Sequence, residues 1–385
     1  MSDQPSFVVA TPGRSVCDDN ARALAKHGLL RFQALGTRRG AAGVPLENTR
    51  LNPAIGLVHY MVARCVAKYP AESFRFRLHP WFDHWVRRQL LPGNHIISSF
   101  GYANASFRWV RQHGGKTLLD GGNSHPQNFW AIMEEEHKRW HCAQPPVARH
   151  HYERSLAMLP EVDFVLSPSP YVTRSFLERG FKPGQILRNV YPVNLAHFSP
   201  AREPRPLNAP LRIICSGSPS LRKGTPYLLA AFRLVLKKIS NARLLLSSYV
   251  HESVQPMLRD YADLPIDWSP ILPHAQLAER LRSADIYVLP SLEEGLARTT
   301  LEALACGLPV IITENSGGGE FVKDGRSGDL VPIRDPEAIA EAIFKWADKI
   351  LGQAERPKIS FDANAVSFET FERVFLEQLK TQGLV

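Results

Sequence analysis

The chain has 385 residues, 44% of them hydrophobic, and its 46 Lys and Arg against 37 Asp and Glu give a formal net charge of +9. That length exceeds what a single hydrophobic core usually serves, so two domains are expected. No apolar run is long enough to span a bilayer, and the start, MSDQPSFVVATPGR, lacks the charged and extended apolar regions of a signal peptide, so the expected location is the cytoplasm.

Residues 6–10 read as a strand, followed by a Thr-Pro-Gly-Arg turn that carries Gly13 and Arg14, a helical stretch ending near Gly28, and a second strand over 30–35. This βαβ opening implies a parallel sheet. No G-x-G-x-x-G follows the first strand, which removes the main support for a nicotinamide-binding reading. Residues 74–91 mix Trp81, Phe82, Trp85, Val86 and Leu90 with four arginines at helical spacing. A helix packing face is preferred there over a membrane-surface helix. Further strands are expected at 95–99, 116–120 and 163–167. A proline-rich stretch over 190–210 then interrupts the pattern. The alternation restarts with strands at 211–215, 242–247, 285–289 and 309–313, and a helix over 367–380 closes the chain. The division is 1–195 for a first domain, 196–210 for a hinge, 211–362 for a second domain and 363–385 for a terminal helical segment.

Charge follows that division. Residues 1–200 hold 24 Lys and Arg against 14 Asp and Glu, whereas the remainder is nearly balanced. The basic half favours an anionic partner such as a membrane surface, a phosphorylated lipid or a nucleic acid. The five cysteines are odd in number and scattered, with no C-x-x-C, so neither a disulfide framework nor a zinc site is expected.

Three loops concentrate the chemistry. The first, 217–224 (GSPSLRKG), follows a strand and opens a helix. Its backbone N–H groups with Arg222 and Lys223 suit an anion, and a solvated basic turn is the plainer alternative. The second is 289–308 (LPSLEEGLARTTLEALACGL), which sets Glu294 in a loop at a strand's carboxyl end and Glu302 eight residues on, inside a helix. Each carboxylate can accept from two neighbouring hydroxyls, and the helix start between them offers N–H groups to a diphosphate. Two solvated acids flanking a helix start are the alternative. The third, 314–320 (ENSGGGE), lets backbone approach a ligand closely, or is a surface turn. On the first-domain side, 120–126 (DGGNSHP) places Asn123 and His125 at a strand end ahead of an acidic helix containing Glu134, Glu135 and Glu136.

The 289–308 stretch resembles the E-x7-E signature of retaining GT-B glycosyltransferases, in particular glycosyltransferase family 4. The resemblance implies an α/β fold of two Rossmann-like domains facing a cleft, with the final helix crossing back to the first domain. It implies a hexosyltransferase that moves sugar from a UDP- or GDP-linked donor to a hydroxyl of a glycan or lipid-linked saccharide, in surface polysaccharide or lipopolysaccharide synthesis, without a metal. Glu294 would contact the donor sugar with Gly295, Leu296 and Ala297, and Glu302 the ribose. The family's G-R-x4-K-G pattern is matched by Gly217, Lys223 and Gly224. Ser218 stands in place of its arginine, and Arg222 is the substitute cation. Gly318 falls in the family's glycine turn facing the donor, and residues 268–274 fall where the family brackets the nucleobase. His125 would lie near the anomeric carbon, with Gly13, Arg14 and Asn123 on the acceptor side. The rivals are a sugar-nucleotide epimerase or sucrose-type synthase on the same fold, and a catalytically silent glycan-binding or scaffold protein, suggested by Ser218 and Ala297. Nucleic-acid binding ranks last.

Overall fold

The computed structural model describes residues 7–13, 15–36, 43–65, 68–143, 145–247, 249–322 and 325–385. Its first parallel sheet contains β1 (Phe7–Thr11), β2 (Leu30–Leu35), β3 (Thr49–Leu51), β4 (His95–Ser99), β5 (Thr117–Asp120), β6 (Phe164–Ser167) and β7 (Ile186–Arg188), in the order β3-β2-β1-β4-β5-β6-β7. The second contains β8 (Arg212–Ser216), β9 (Arg243–Ser247), β10 (Ile266–Ser269), β11 (Ile286–Leu289), β12 (Val310–Thr313) and β13 (Gly328–Val331), in the order β10-β9-β8-β11-β12-β13. Strands such as FVVAT and VIIT are apolar up to their final threonine because both faces of each sheet are covered by helices, and every residue of these two is buried.

In each sheet the order reverses direction once, between β1 and β4 and between β8 and β11. Such reversal points part the loops on either side and leave a crevice at the carboxyl ends of the strands. The loops that carry Lys223 and Glu294 follow β8 and β11, so they flank the crevice of the second sheet.

The strands expected from sequence all form, within one residue at either end. The structure adds β3, β7, β10 and β13, all short and lying at or next to sheet edges. The terminal helix, Phe368–Thr381, is capped by the Ser367 side chain, which accepts from the Thr370 N–H. Its Phe371, Phe375 and Leu379 are buried with Phe7, Val9, Leu24 and Leu187, so the last helix completes the core of the first lobe.

Residues 74–91 are not one helix. Helices Lys68–Arg77 and His79–Arg87 meet at Leu78. Pro80 has no N–H to give the preceding helix and its ring would clash with the carbonyl of Phe76, so the first helix stops there. Phe82, Val86 and Leu90 are buried as expected of a packing face, whereas Phe74 and Trp81 are exposed.

Candidate functional site

Three of the expected site residues meet at one point. Glu294 Oε2 is paired with Lys223 Nζ and lies 2.8 Å from Arg222 Nη1, which also donates to the Glu293 carbonyl at 3.0 Å. Burial alone would push the Glu294 carboxyl up, but Arg222 and then Lys223 hold it at about 2. Burial lowers Lys223, and Glu294 offsets this only in part. Burial would also lower Arg222, but Glu294 and Glu293 together outweigh it and leave the guanidinium more firmly charged. Two cations thus share the Glu294 carboxylate in a buried setting, with Glu293 Oε2 3.9 Å from Arg222 Nη1, and cations held at the loop tips suit an anionic ligand.

The loop between Gly217 and Gly224 bends as it does because both glycines have positive φ, +128° and +65°; a Cβ on Gly224 would stand 1.9 Å from the Pro290 carbonyl oxygen. That close approach presses the Lys223 loop onto the turn carrying Glu294. Ser218 is half-buried in the same loop.

Glu302 sits apart from this trio. It lies on helix Arg298–Ala305, is 3% exposed, and its Oε2 is buried without a hydrogen-bond partner. Burial raises its carboxyl to about 7, with Arg298 pulling the other way. It lines a cavity of about 510 Å³ together with Ser15, Asp19, Asn194, His274 and Arg298, drawn from both lobes. Ala297, the residue before the helix, offers no side-chain cap. Residues 268–274 run from the end of β10 through a short loop to the first residue of helix His274–Ser283, and of them His274 reaches the Glu302 cavity. A carboxylate lining a cavity of that size is suited to hydroxyl donors.

The two lobes touch through their loop tips. Glu293 Oε1 accepts the Ser124 N–H at 2.8 Å, and Ser169 Oγ donates to the Gly295 carbonyl at 2.6 Å. A Cβ on Gly295 would lie 2.1 Å from the Gly122 carbonyl oxygen, and one on Gly317 would lie 1.8 Å from that of Gly295. Gly317 therefore makes the close approach between the third loop and the Glu294 turn. Its φ of +65° is the reason only glycine fits. Leu296 and Ala297 are buried core residues, so their side chains hold the turn in place and only their backbone remains for a ligand.

On the first-lobe side, Asn123 is half-buried beside Gly295, and Gly13 has open space at its Cβ position. Arg14 lies outside the described residues. His125 is 3% exposed, its ring meets Phe176 edge-on at 5.3 Å, and Nδ1 accepts the Gln127 N–H at 3.3 Å. Burial and then Arg179 lower its pKa to about 4, so the ring is neutral near pH 7. The structure thus gives His125 a helix-capping contact within the first lobe, and its neighbours Gly122, Asn123 and Ser124 are the residues that face the second.

Sequence reasoning passed over Glu293 and the part played by Glu136. Glu293 is fully buried, with Oε2 3.9 Å from Arg222 Nη1 and its carboxyl beside the Ser124 side chain, which in turn neighbours Tyr171. Glu136 is also fully buried and accepts from Trp140 Nε1, Tyr227 OH and Arg334 Nε at 2.7–2.8 Å, tying the acidic helix of the first lobe to the second. The double acid at 293–294 was a visible signal, but only the tertiary contact separates one glutamate from the other.

Comparison with solved structures fixes the fold. Sucrose-phosphate synthase from Thermosynechococcus elongatus superposes with a TM-score of 0.64 at 19% identity, covering 98% of this chain and 99% of that one. HepE of Anabaena, crystallised with UDP, gives 0.66 at 12% identity over 98% and 100%. The fold is GT-B. Residues 210–349 match the family described as glycosyl transferases group 1. D-inositol 3-phosphate glycosyltransferase of Paenarthrobacter aurescens is 40% identical over 75 residues, 20% of this chain and 18% of that protein. The colanic acid biosynthesis glycosyltransferase WcaL of Salmonella typhimurium, itself described as putative, is 33% identical over 99 residues, 24% and 23% of the two chains. The chain thus spans about a fifth of the length of the curated relatives it matches. Among the described residues no helix is long and apolar enough to cross a membrane.

Proposed function

We propose that this protein transfers a hexose from a UDP- or GDP-linked sugar to a hydroxyl of a glycan or lipid-linked saccharide, with retention at the anomeric carbon, in surface polysaccharide or lipopolysaccharide synthesis. The observation that carries the reading is the buried cluster of Lys223, Arg222 and Glu294 flanking the crevice, with Glu302 lining a cavity built by both lobes. The match of residues 210–349 to glycosyl transferases group 1 and the partial similarity to WcaL support it.

In this reading the donor diphosphate displaces Glu294 from its two cations. Lys223 and Arg222 then neutralise the phosphates, and the freed Glu294 accepts from hydroxyls of the transferred sugar. The ribose hydroxyls donate to Glu302. The acceptor oxygen bonds to the anomeric carbon as the bond to the diphosphate breaks, and the acceptor's proton passes to the departing phosphate oxygen. Positive charge held at the leaving group is the main rate-enhancing contribution, and closure of the lobes keeps water from competing as acceptor. No metal enters this scheme.

The same reading places the protein in the cytoplasm, with its first lobe against an anionic membrane. Leu57, Tyr60, Met61, Phe74, Trp81 and Leu91 are large exposed apolar residues within one short span of chain that also carries Arg75, Arg77, Arg87 and Arg88. Co-sedimentation with vesicles containing phosphatidylglycerol, but not with neutral vesicles, is the expected result.

Calorimetric titration with UDP and GDP, followed by a panel of sugar nucleotides assayed for hydrolysis and transfer, tests the activity. Absence of affinity for both nucleotides would leave the catalytically silent protein as the better account.

A further inference from the structure

We infer that the acceptor is a saccharide of two or more residues, bound in a trough that runs from Asn123 past Val147 to Trp140 and Phe76. This rests on the transfer reaction proposed above and names the class of acceptor it uses.

The trough is drawn through two cavities that share Val147 in their walls. The larger is a cavity of about 570 Å³ between the lobes, walled by Phe76, His137, Trp140 and His141 of the first and by His251 and Asp260 of the second. Its size is that of a ligand pocket. Aromatic faces with imidazole and carboxylate groups around them match a pyranose, which offers C–H groups on its faces and hydroxyls at its edge.

These groups are held in place. Trp140 is fixed by its Nε1–H, donated to Glu136 Oε1 at 2.8 Å, and by Tyr227 meeting it edge-on at 6.4 Å. Phe76 stacks on His151 at 4.0 Å. His251 Nδ1 is tied to Ser253, with the Oγ at 2.8 Å and the N–H donating at 3.1 Å. Among the described residues two non-glycines have positive φ, His141 at +50° and Arg334 at +63°. One lines this cavity and the other braces Glu136 beside it. Strained backbone of this kind persists where the surroundings impose it, commonly at binding sites.

The smaller part leads to the reacting groups. Val147 borders both cavities, and the second, of about 90 Å³, is lined by Asn123, Ser124 and Tyr152. The N–H of Ser124 is bound by Glu293, the neighbour of Glu294. A hydroxyl presented at Asn123 and Ser124 therefore stands by the donor-binding loop while the remainder of its molecule extends toward Trp140. A single sugar ring would occupy the near end and leave the larger cavity unused.

The test is an array of mono-, di- and oligosaccharides probed with the full-length protein in the presence of UDP, using wild type, Trp140→Ala and His251→Ala. UDP affinity is measured for each by calorimetry and folding by thermal unfolding. The expected result is wild-type binding of glycans of two or more residues that weakens at least about tenfold in each variant, with UDP affinity retained. His251→Ala, on the other lobe, serves should Trp140→Ala not fold. Unchanged glycan binding in the folded variants, equal binding of monosaccharides, or no glycan bound by a wild type that binds UDP would overturn the inference. A wild type that binds neither UDP nor GDP would instead overturn the proposed function.

Discussion

Glu293 Oε1 accepts the backbone N–H of Ser124 at 2.8 Å, so a fully buried carboxyl of the second lobe closes on the loop of the first that carries Asn123 and His125. Burial raises the Glu293 carboxyl, while Arg222 and the Ser124 N–H act against that. Glu293→Gln keeps an acceptor at this point and should leave closure intact. Glu293→Ala strands the Ser124 N–H, a loss of about 1–3 kcal/mol for a buried unsatisfied group. Small-angle scattering should show a more open average shape for Glu293→Ala than for Glu293→Gln, with transfer falling in the same order. Identical scattering from the two would show that this contact does not govern closure.

Gly295→Ala tests the same closure by steric means, since its Cβ would stand 2.1 Å from the Gly122 carbonyl oxygen. Turnover should fall sharply while UDP affinity is retained. Equal losses of both would place the clash within the second lobe.

Lys223→Ala and Glu302→Ala should each reduce turnover by at least about a hundredfold, the scale of losing one preorganised electrostatic group. In Lys223→Ala the effect should be on kcat. In Glu302→Ala it should be accompanied by weaker UDP binding. Wild-type rates in both variants would remove these residues from the site.

Nucleotide affinity should depend on pH through Glu302. Its carboxyl, raised to about 7, must ionise to accept from two ribose hydroxyls. Binding favours the ionised form, so affinity for UDP should rise by up to about tenfold between pH 6 and pH 8. For the unliganded fold the sign is opposite. A carboxyl whose pKa is higher folded than unfolded loses stability as pH climbs from the ordinary carboxylate range through about 7. Glu302→Gln should flatten both dependences, measured by calorimetry and by thermal unfolding; an unaltered affinity profile in that variant would assign the pH effect elsewhere.

His125 separates two roles by one substitution. Asparagine can replace its cap on the following helix, and alanine cannot, at about 0.5–2 kcal/mol. If capping is its work, His125→Asn should retain transfer and most of the thermal midpoint, while His125→Ala lowers the midpoint. Loss of transfer in a stably folded His125→Asn would return the imidazole to the reaction centre.

The parallel α/β architecture is legible in the sequence, because buried strands such as 7–11 and 310–313 are apolar up to their last residue and the helices between strands repeat at 3.6 residues. The sequence also determined the positions of the Lys223 and Glu294 loops, since glycine and proline mark strand ends through local sterics alone. It left β3, β7, β10 and β13 unread, because three- and four-residue strands at or near an edge owe their pairing to neighbours rather than to their own pattern. Tertiary contacts alone distinguish Glu294, held by two cations, from Glu293 beside it, which closes the lobes, and set Gly317 against the Gly295 carbonyl. Those distinctions depend on which groups lie opposite across the crevice, 169 residues away in the case of Glu293 and Ser124, and no local propensity encodes that.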